Sequence, residues 1–153
     1  MPTEKQIRDA IASTITAAAP TAVVLPRNIL GIKNDGWLGL LQSPSDGNRM
    51  RGWMITLQSQ ALIEDRVNGA EYELRFSVWQ FLQYWTGDNT DNSEDAFSAE
   101  REAVINAFAG QLASPLSWAS PLEFSLIDLF PVGDRLVHIA QGSIAVANVT
   151  GCA

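Results

Sequence analysis

The side chains best able to do chemistry are few. His138 is the only histidine, and Cys152, next to last of 153 residues, is the only cysteine. A histidine serving as a general base needs a positioned partner, and no serine or cysteine nucleophile motif marks one. His138 lies in a predicted last strand, on one face with Leu136 and Ala140, and reads as a structural or surface histidine. Cys152 reads as an incidental thiol. A lone cysteine makes no intrachain disulfide, which fits a reducing cytosol and equally a protein that needs no staples. The acidic run Asp88, Asp91, Glu94 and Asp95 invites a calcium loop, but such a loop needs glycine at its sixth position, and counting from Asp88 the sixth residue is Ser93. Helix capping by a solvated charge run is the better account. No phosphate-binding glycine loop, zinc spacing or G-x-S-x-G elbow is present. The sequence predicts no enzyme, no cofactor and no metal site, and points instead to the binding of other proteins.

Composition narrows the partners. Formal net charge is −7, which argues against sequence-specific nucleic-acid binding, since such proteins neutralise phosphates with Lys and Arg. No apolar run approaches the ~20 residues that cross a bilayer. The start, MPTEKQIRDAIAST, has no signal-peptide apolar region, so the chain is expected to be made in the cytoplasm and to leave it only within a particle. Hydrophobic residues make up 46% and charged residues 18%, the profile of a globular chain. The charge is uneven: residues 1–51 carry six basic and four acidic groups, residues 52–153 four basic and thirteen acidic. Chance and solubility would account for this. So would two oppositely charged surfaces that meet between copies.

The elements that must position these groups follow from patterning. Thr3 with Gln6 forms a capping-box pattern, and Ile7, Ile11 and Ile15 recur at helical spacing, which predicts a helix over about 2–18. A short strand over 22–25 follows. Residues 27–50 form an irregular insertion loop, with turn signals at Asn34-Asp35-Gly36 and Ser43-Pro44-Ser45-Asp46-Gly47-Asn48 bracketing an apolar run, 37–41, read as a strand. This loop holds Arg27, Lys33, Arg49 and, just beyond it, Arg51.

Asn68-Gly69 is the preferred centre of a type I′ hairpin turn. With Val67 opposite Ala70, Ile63 faces Leu74, Ala61 faces Phe76, Ser59 faces Val78 and Ile55 faces Leu82, one apolar side; Thr56, Gln58, Gln60, Glu64, Arg66, Glu71, Glu73 and Ser77 take the other. Glu64 then lies opposite Glu73 at an exposed tip. The fourteen residues from Trp53 to Arg66 would span ~45 Å at ~3.3 Å each. A domain of this length has a radius of gyration of only ~15 Å, so the tip should stand clear of the body. A helix capped by Asn92 or Ser93 is predicted to run to about residue 113. Strands over 122–130 and 136–149 form a second hairpin about Pro131-Val132-Gly133-Asp134. The assembly expected is a single α+β domain over 1–153: an antiparallel or mixed sheet built on two long hairpins, with two helices packed on one face.

The candidate binding residues follow from this frame. Trp79 falls on the otherwise polar side of the hairpin, where either the chain's own loop or a second subunit must cover it. The candidate subunit interface sets the acidic arm, Glu64, Glu71 and Glu73, against the loop groups Arg49, Arg51, Trp37 and Leu40 of another copy, with Trp79 adding apolar contact.

The helix EKQIRDAIASTITA, the hairpin WMITLQSQALIEDRVNGAEYELRFSVWQF, the helix SEDAFSAEREAVINAFAG and the terminal strand LVHIAQGSIAVANV follow one another over most of the chain. In this order the chain resembles the tail-terminator (tail-completion) proteins of long-tailed bacteriophages, and residues 27–50 are longer than in that family's simplest members. The resemblance implies a structural virion protein of the viral tail: a homo-oligomeric ring, typically a hexamer, that stops tail-tube polymerisation and provides head-tail joining. Its partners would be itself, the tail-tube protein and a head-tail connector or neck protein. The resemblance brings no catalytic residues to carry over. Another neck or tail-completion subunit is the nearest alternative. A small-ligand-binding dimeric α+β module is an alternative of a different class.

Overall fold

The Thr3–Gln6 box forms as expected: Thr3 Oγ1 accepts from the Gln6 N–H at 3.2 Å, and Gln6 Oε1 accepts from the Thr3 N–H at 2.8 Å. It opens helix α1, Glu4–Ala18, whose Ile7, Ile11 and Ile15 are all buried. The computed structural model describes residues 2–31, 36–66 and 69–150. Lys33, the Asn34-Asp35 pair, the turn residue Asn68 and Cys152 therefore lie outside the described residues.

The remaining elements are β1 (Val23–Leu25), α2 (Trp37–Leu40), β2 (Gln42–Ser43), β3 (Arg49–Arg66), β4 (Gly69–Gln83), α3 (Ser93–Ala107), β5 (Glu123–Val132) and β6 (Arg135–Thr150). The sheet runs β1-β3-β4-β6-β5, with β2 beside the start of β3. Only β1 pairs in parallel, Val23 opposite Gly52 to Leu25 opposite Met54, so the sheet is mixed and the fold α+β. Helices α1 and α3 share one face, where Ile7, Ile11, Ile15 and Val104 pack on Trp53, Ile55, Leu74, Phe76, Val78 and Ile144.

Three local expectations need correction. The apolar run 37–41 is not a strand: its first four residues form α2. One helical turn brings Trp37 and Leu41, both buried, onto the same side. Helix α3 stops at Ala107, about six residues early, with Gly110 at φ +99° just beyond, although Phe108 and Leu112 still join the core. The second hairpin is tighter than expected, because Val132 already pairs with Arg135 and Gly133, at φ +61°, supplies the turn.

The register of the central hairpin also differs. Its last pair is Arg66 opposite Gly69, so Gly69 belongs to the strand and Ala70 faces Asp65; Val67 lies outside the described residues. Two bulges, at Gln58 and Ile63, each insert an unopposed residue into β3 and switch the side its following residues occupy. Leu57 thus faces Phe76, Gln60 faces Leu74 and Leu62 faces Tyr72, while Ser59 and Ala61 move to the side of Arg75 and Glu73. Glu64 lies opposite Glu71, not Glu73. On β4 the sides are those expected, with Leu74, Phe76, Val78 and Leu82 toward the helices.

The hairpin is long, as expected. Strand β3 has 18 residues, ~60 Å at ~3.3 Å per residue. From Leu57 to Ile63 every residue of it is exposed. Among the described residues β3 has no strand on its outer side beyond Met54, where β1 ends. The outer parts of β3 and β4, flanked by the end of β6, make a three-stranded arm.

Candidate functional site

The expected interface residues fall into two separate groups. At the base of the sheet, the loop between β1 and β3 folds back over the face opposite the helices and buries Ile29, Trp37 and Leu41 against Met50, Met54, Phe81 and Val137. Trp37 meets Phe81 at 5.2 Å between ring centroids, and Trp79 stacks on Phe81 at 6.2 Å with planes 4° apart. The chain's own loop thus covers the aromatic patch on this face. A Cβ at Gly52 would lie 2.5 Å from Leu41 Cδ2 and 2.8 Å from the Val23 carbonyl oxygen, so the closeness of this cap depends on glycine there. Leu40 remains 38% exposed on its outside.

The two arginines expected to reach a neighbour are engaged within the chain. Arg51 Nε donates to Glu100 Oε2 at 2.5 Å, and Arg51 Nη1 lies 3.2 Å from Asp46 Oδ2. Glu100, buried on α3, accepts with its other oxygen from the Trp53 indole N–H at 2.7 Å. Burial opposes the charge of Arg51, but Glu100 and Asp46 more than offset it, and its pKa is raised. Arg49 lies over the Trp85 ring, 3.6 Å from its centroid, and 3.5 Å from Asp46 Oδ1. On the arm, Glu73 pairs with Arg75 at 3.3 Å, and Glu71 stands opposite the backbone of Glu64, whose side chain is outside the description. The structure brings Trp37, Trp79, Arg49 and Arg51 to the base and leaves the arm acids apart from them.

Sequence reasoning missed Glu100. The available signal was its place on the apolar stripe of α3, between Phe97 and Val104 at helical spacing. A carboxylate at such a position needs partners, and Arg51 and Trp53 come from a strand about fifty residues away in sequence.

His138 takes the structural role expected of it. It is 6% exposed, stacked on Phe97 at 5.0 Å, with Nε2 2.9 Å from Ser93 Oγ. The Ser93 hydroxyl donates to the Trp85 carbonyl at 2.8 Å, so the imidazole N–H donates to Ser93 Oγ. That polarity is the reverse of a nucleophile and its base, and Ser93 is wholly buried. The bond instead fastens the first turn of α3 to β6. Burial, with Arg101 nearby, holds the His138 pKa below its ordinary 6.5, against the opposing pull of Glu94. The unfolded chain then binds the proton more readily, so this contribution to stability is complete above 6.5 and is lost as pH falls below it. Melting temperature should therefore drop from about pH 7.5 to about pH 5.5. His138→Gln should lower stability by about 1 kcal/mol at neutral pH, through the lost bond, and flatten that dependence. An equally steep fall in the variant would refute this assignment.

Asn92 caps α3, as expected, with Glu94 and Asp95 in its first turn. Asn92 Oδ1 accepts from the Asp95 N–H at 2.8 Å, and Asp88 Oδ1 accepts from the Thr90 hydroxyl and the Thr90 and Asp91 N–H groups, which lowers the Asp88 pKa. Among the described residues no three His, Cys, Asp or Glu side chains gather as a metal site, and no helix is long and apolar enough to cross a membrane.

No family model and no curated protein matches the chain. Among solved structures it is similar to a chain of the "Virion of native gene transfer agent (GTA) particle", at 15% sequence identity, over 94% of this chain and 95% of that one, with a TM-score of 0.46. At that identity and TM-score the likeness carries no inference about function.

Proposed function

We propose that this protein is a structural subunit, not an enzyme, that builds a homo-oligomeric ring ending a phage tail tube and joining it to the head connector. The observation that carries this reading is the arm. Leu57, Leu62 and Ile63 are 36%, 55% and 49% exposed on the outer strand of a three-stranded ribbon whose root, at Leu74 and Phe76, is buried in the core beneath the helices. Aliphatic groups gathered on a projecting element find cover most readily in another polypeptide. An arm reaching a different surface of its neighbour makes a head-to-tail contact, and such contacts close into a ring when the rotation between copies divides the full turn evenly. The order of elements that supports the tail-terminator resemblance is the order in which they form. An acidic chain also suits a ring whose lumen passes DNA without holding it.

The mass in solution tests the reading. Light scattering across a concentration series should find a discrete oligomer of about six copies, and negative-stain images should show rings with a central hole. Mixed with polymerising tail-tube protein, those rings should shorten the tubes. A protein that stays monomeric at every concentration, with no rings on the grid, would overturn it.

A further inference from the structure

Among the described residues eleven large hydrophobic side chains are well exposed, and seven of them fall into two patches. One is Leu57, Leu62 and Ile63 on the arm. The other is Tyr84, Ile127, Leu129 and Leu136, along one face of β5 and the neighbouring strand ends. Single exposed aliphatics need no explanation, whereas clusters do. The second patch borders a groove of about 570 Å³ between α3 and β5, with Phe97, Ser98 and Arg101 on its helix side and Ile127 and Leu129 across from them.

The groove holds a cation in want of an anion. Arg101 lies over the Phe97 ring, 5.0 Å from its centroid, and its Nη1 is buried with no hydrogen-bond partner. Two acids, Glu94 and Asp128, also line the groove, but neither bonds Arg101 Nη1. Asp128 Oδ1 accepts from the Leu129 N–H at 2.8 Å, and Glu94 sits in the first turn of α3, where the helix dipole favours it. The outer edge of β5 is also blunted against strand addition: Asp128 occupies the Leu129 N–H, Pro131 has none, and a bulge interrupts the ladder at Ser125. An occupant must therefore enter by its side chains, offering aliphatic groups and a carboxylate.

The arm has that chemistry. Besides its exposed aliphatics, the sequence over residues 57–76 carries four acids against two arginines. We infer that the groove between α3 and β5 of one copy receives the arm of the next, with Leu62 and Ile63 against Ile127 and Leu129 and an arm carboxylate on Arg101. This deepens the self-assembly proposed above and rests on it. It moves the partner of the acidic arm from Arg49 and Arg51, which the chain itself engages, to Arg101.

Cysteine pairing tests the contact. In a chain carrying Cys152→Ser, the double variant Leu62→Cys/Ile127→Cys, oxidised after assembly, should give a ladder of linked copies on a non-reducing gel. Neither single variant should give rungs beyond two. Ile127→Lys, at a position 53% exposed, should leave the melting temperature unchanged and raise the concentration for half-assembly about tenfold or more. Rings of full mass that do not crosslink, together with normal assembly of Ile127→Lys, would overturn the groove and leave the ring standing. Linked pairs without longer rungs would overturn the head-to-tail arrangement, and a monomeric wild type would overturn both proposals.

Discussion

Glu100→Ala should cost about 3–5 kcal/mol of folding stability, read as a lower denaturant midpoint at unchanged slope. Glu100 is 8% exposed, and its two oxygens are divided between Arg51 and the indole N–H of Trp53. Removing the carboxylate leaves the guanidinium, whose side chain is 18% exposed, and a buried indole N–H without an acceptor. Asp46 retains part of the arginine's pairing. Arg51→Ala should approach the same loss, because it leaves Glu100 charged and buried beside a neutral donor. The double variant should cost much less than the sum, since each single change has already broken the shared pair. Trp53→Phe keeps the ring and removes the N–H, so its loss should lie nearer 1–3 kcal/mol, roughly the penalty of one unmade bond. Additive single and double losses, or a Glu100→Ala loss below about 1 kcal/mol, would mean that the network is not buried as described.

How much of this was legible depends on the distance over which each fact is set. The Thr3 cap, the isoleucine stripe of α1 and the alternation on β4 are local, and the sequence displays them. The register of β3 is not local. Its two bulges, at Gln58 and Ile63, carry no glycine or proline to mark them, and the Asn68-Gly69 signal argues for a turn one residue later than the ladder permits. Short apolar runs such as 37–41 satisfy helix and strand alike, and only the aromatic patch beneath decided for a helix. Arg49 and Arg51 were recognisable as a basic pair near an acidic arm, but the buried acid that engages Arg51 sits on α3. Only tertiary structure could bring it there. The groove beside α3 was invisible for the same reason, since Phe97, Ser98 and Arg101 on α3 face β5 residues more than twenty positions later.

Phe81→Ala should also cost about 3–5 kcal/mol, and the way it does so separates two roles for the insertion loop. Phe81 is 1% exposed and lies between Trp37 of the loop and Trp79 of its own strand. Truncation would open a cavity beneath the cap that two bulky indoles cannot close without leaving their rotamers. Because Trp37 belongs to the same chain, the loss should not vary with protein concentration. Amide exchange should quicken over the described loop residues 27–31 and 36–43 well before it quickens in α1. Were the cap instead seated on a neighbouring copy, the penalty would grow on dilution, by mass action on the assembled state. A concentration-independent loss with local quickening assigns the loop to its own sheet and leaves the arm as the element that reaches another molecule. A concentration-dependent one would return Trp37 and Leu40 to the interface between copies.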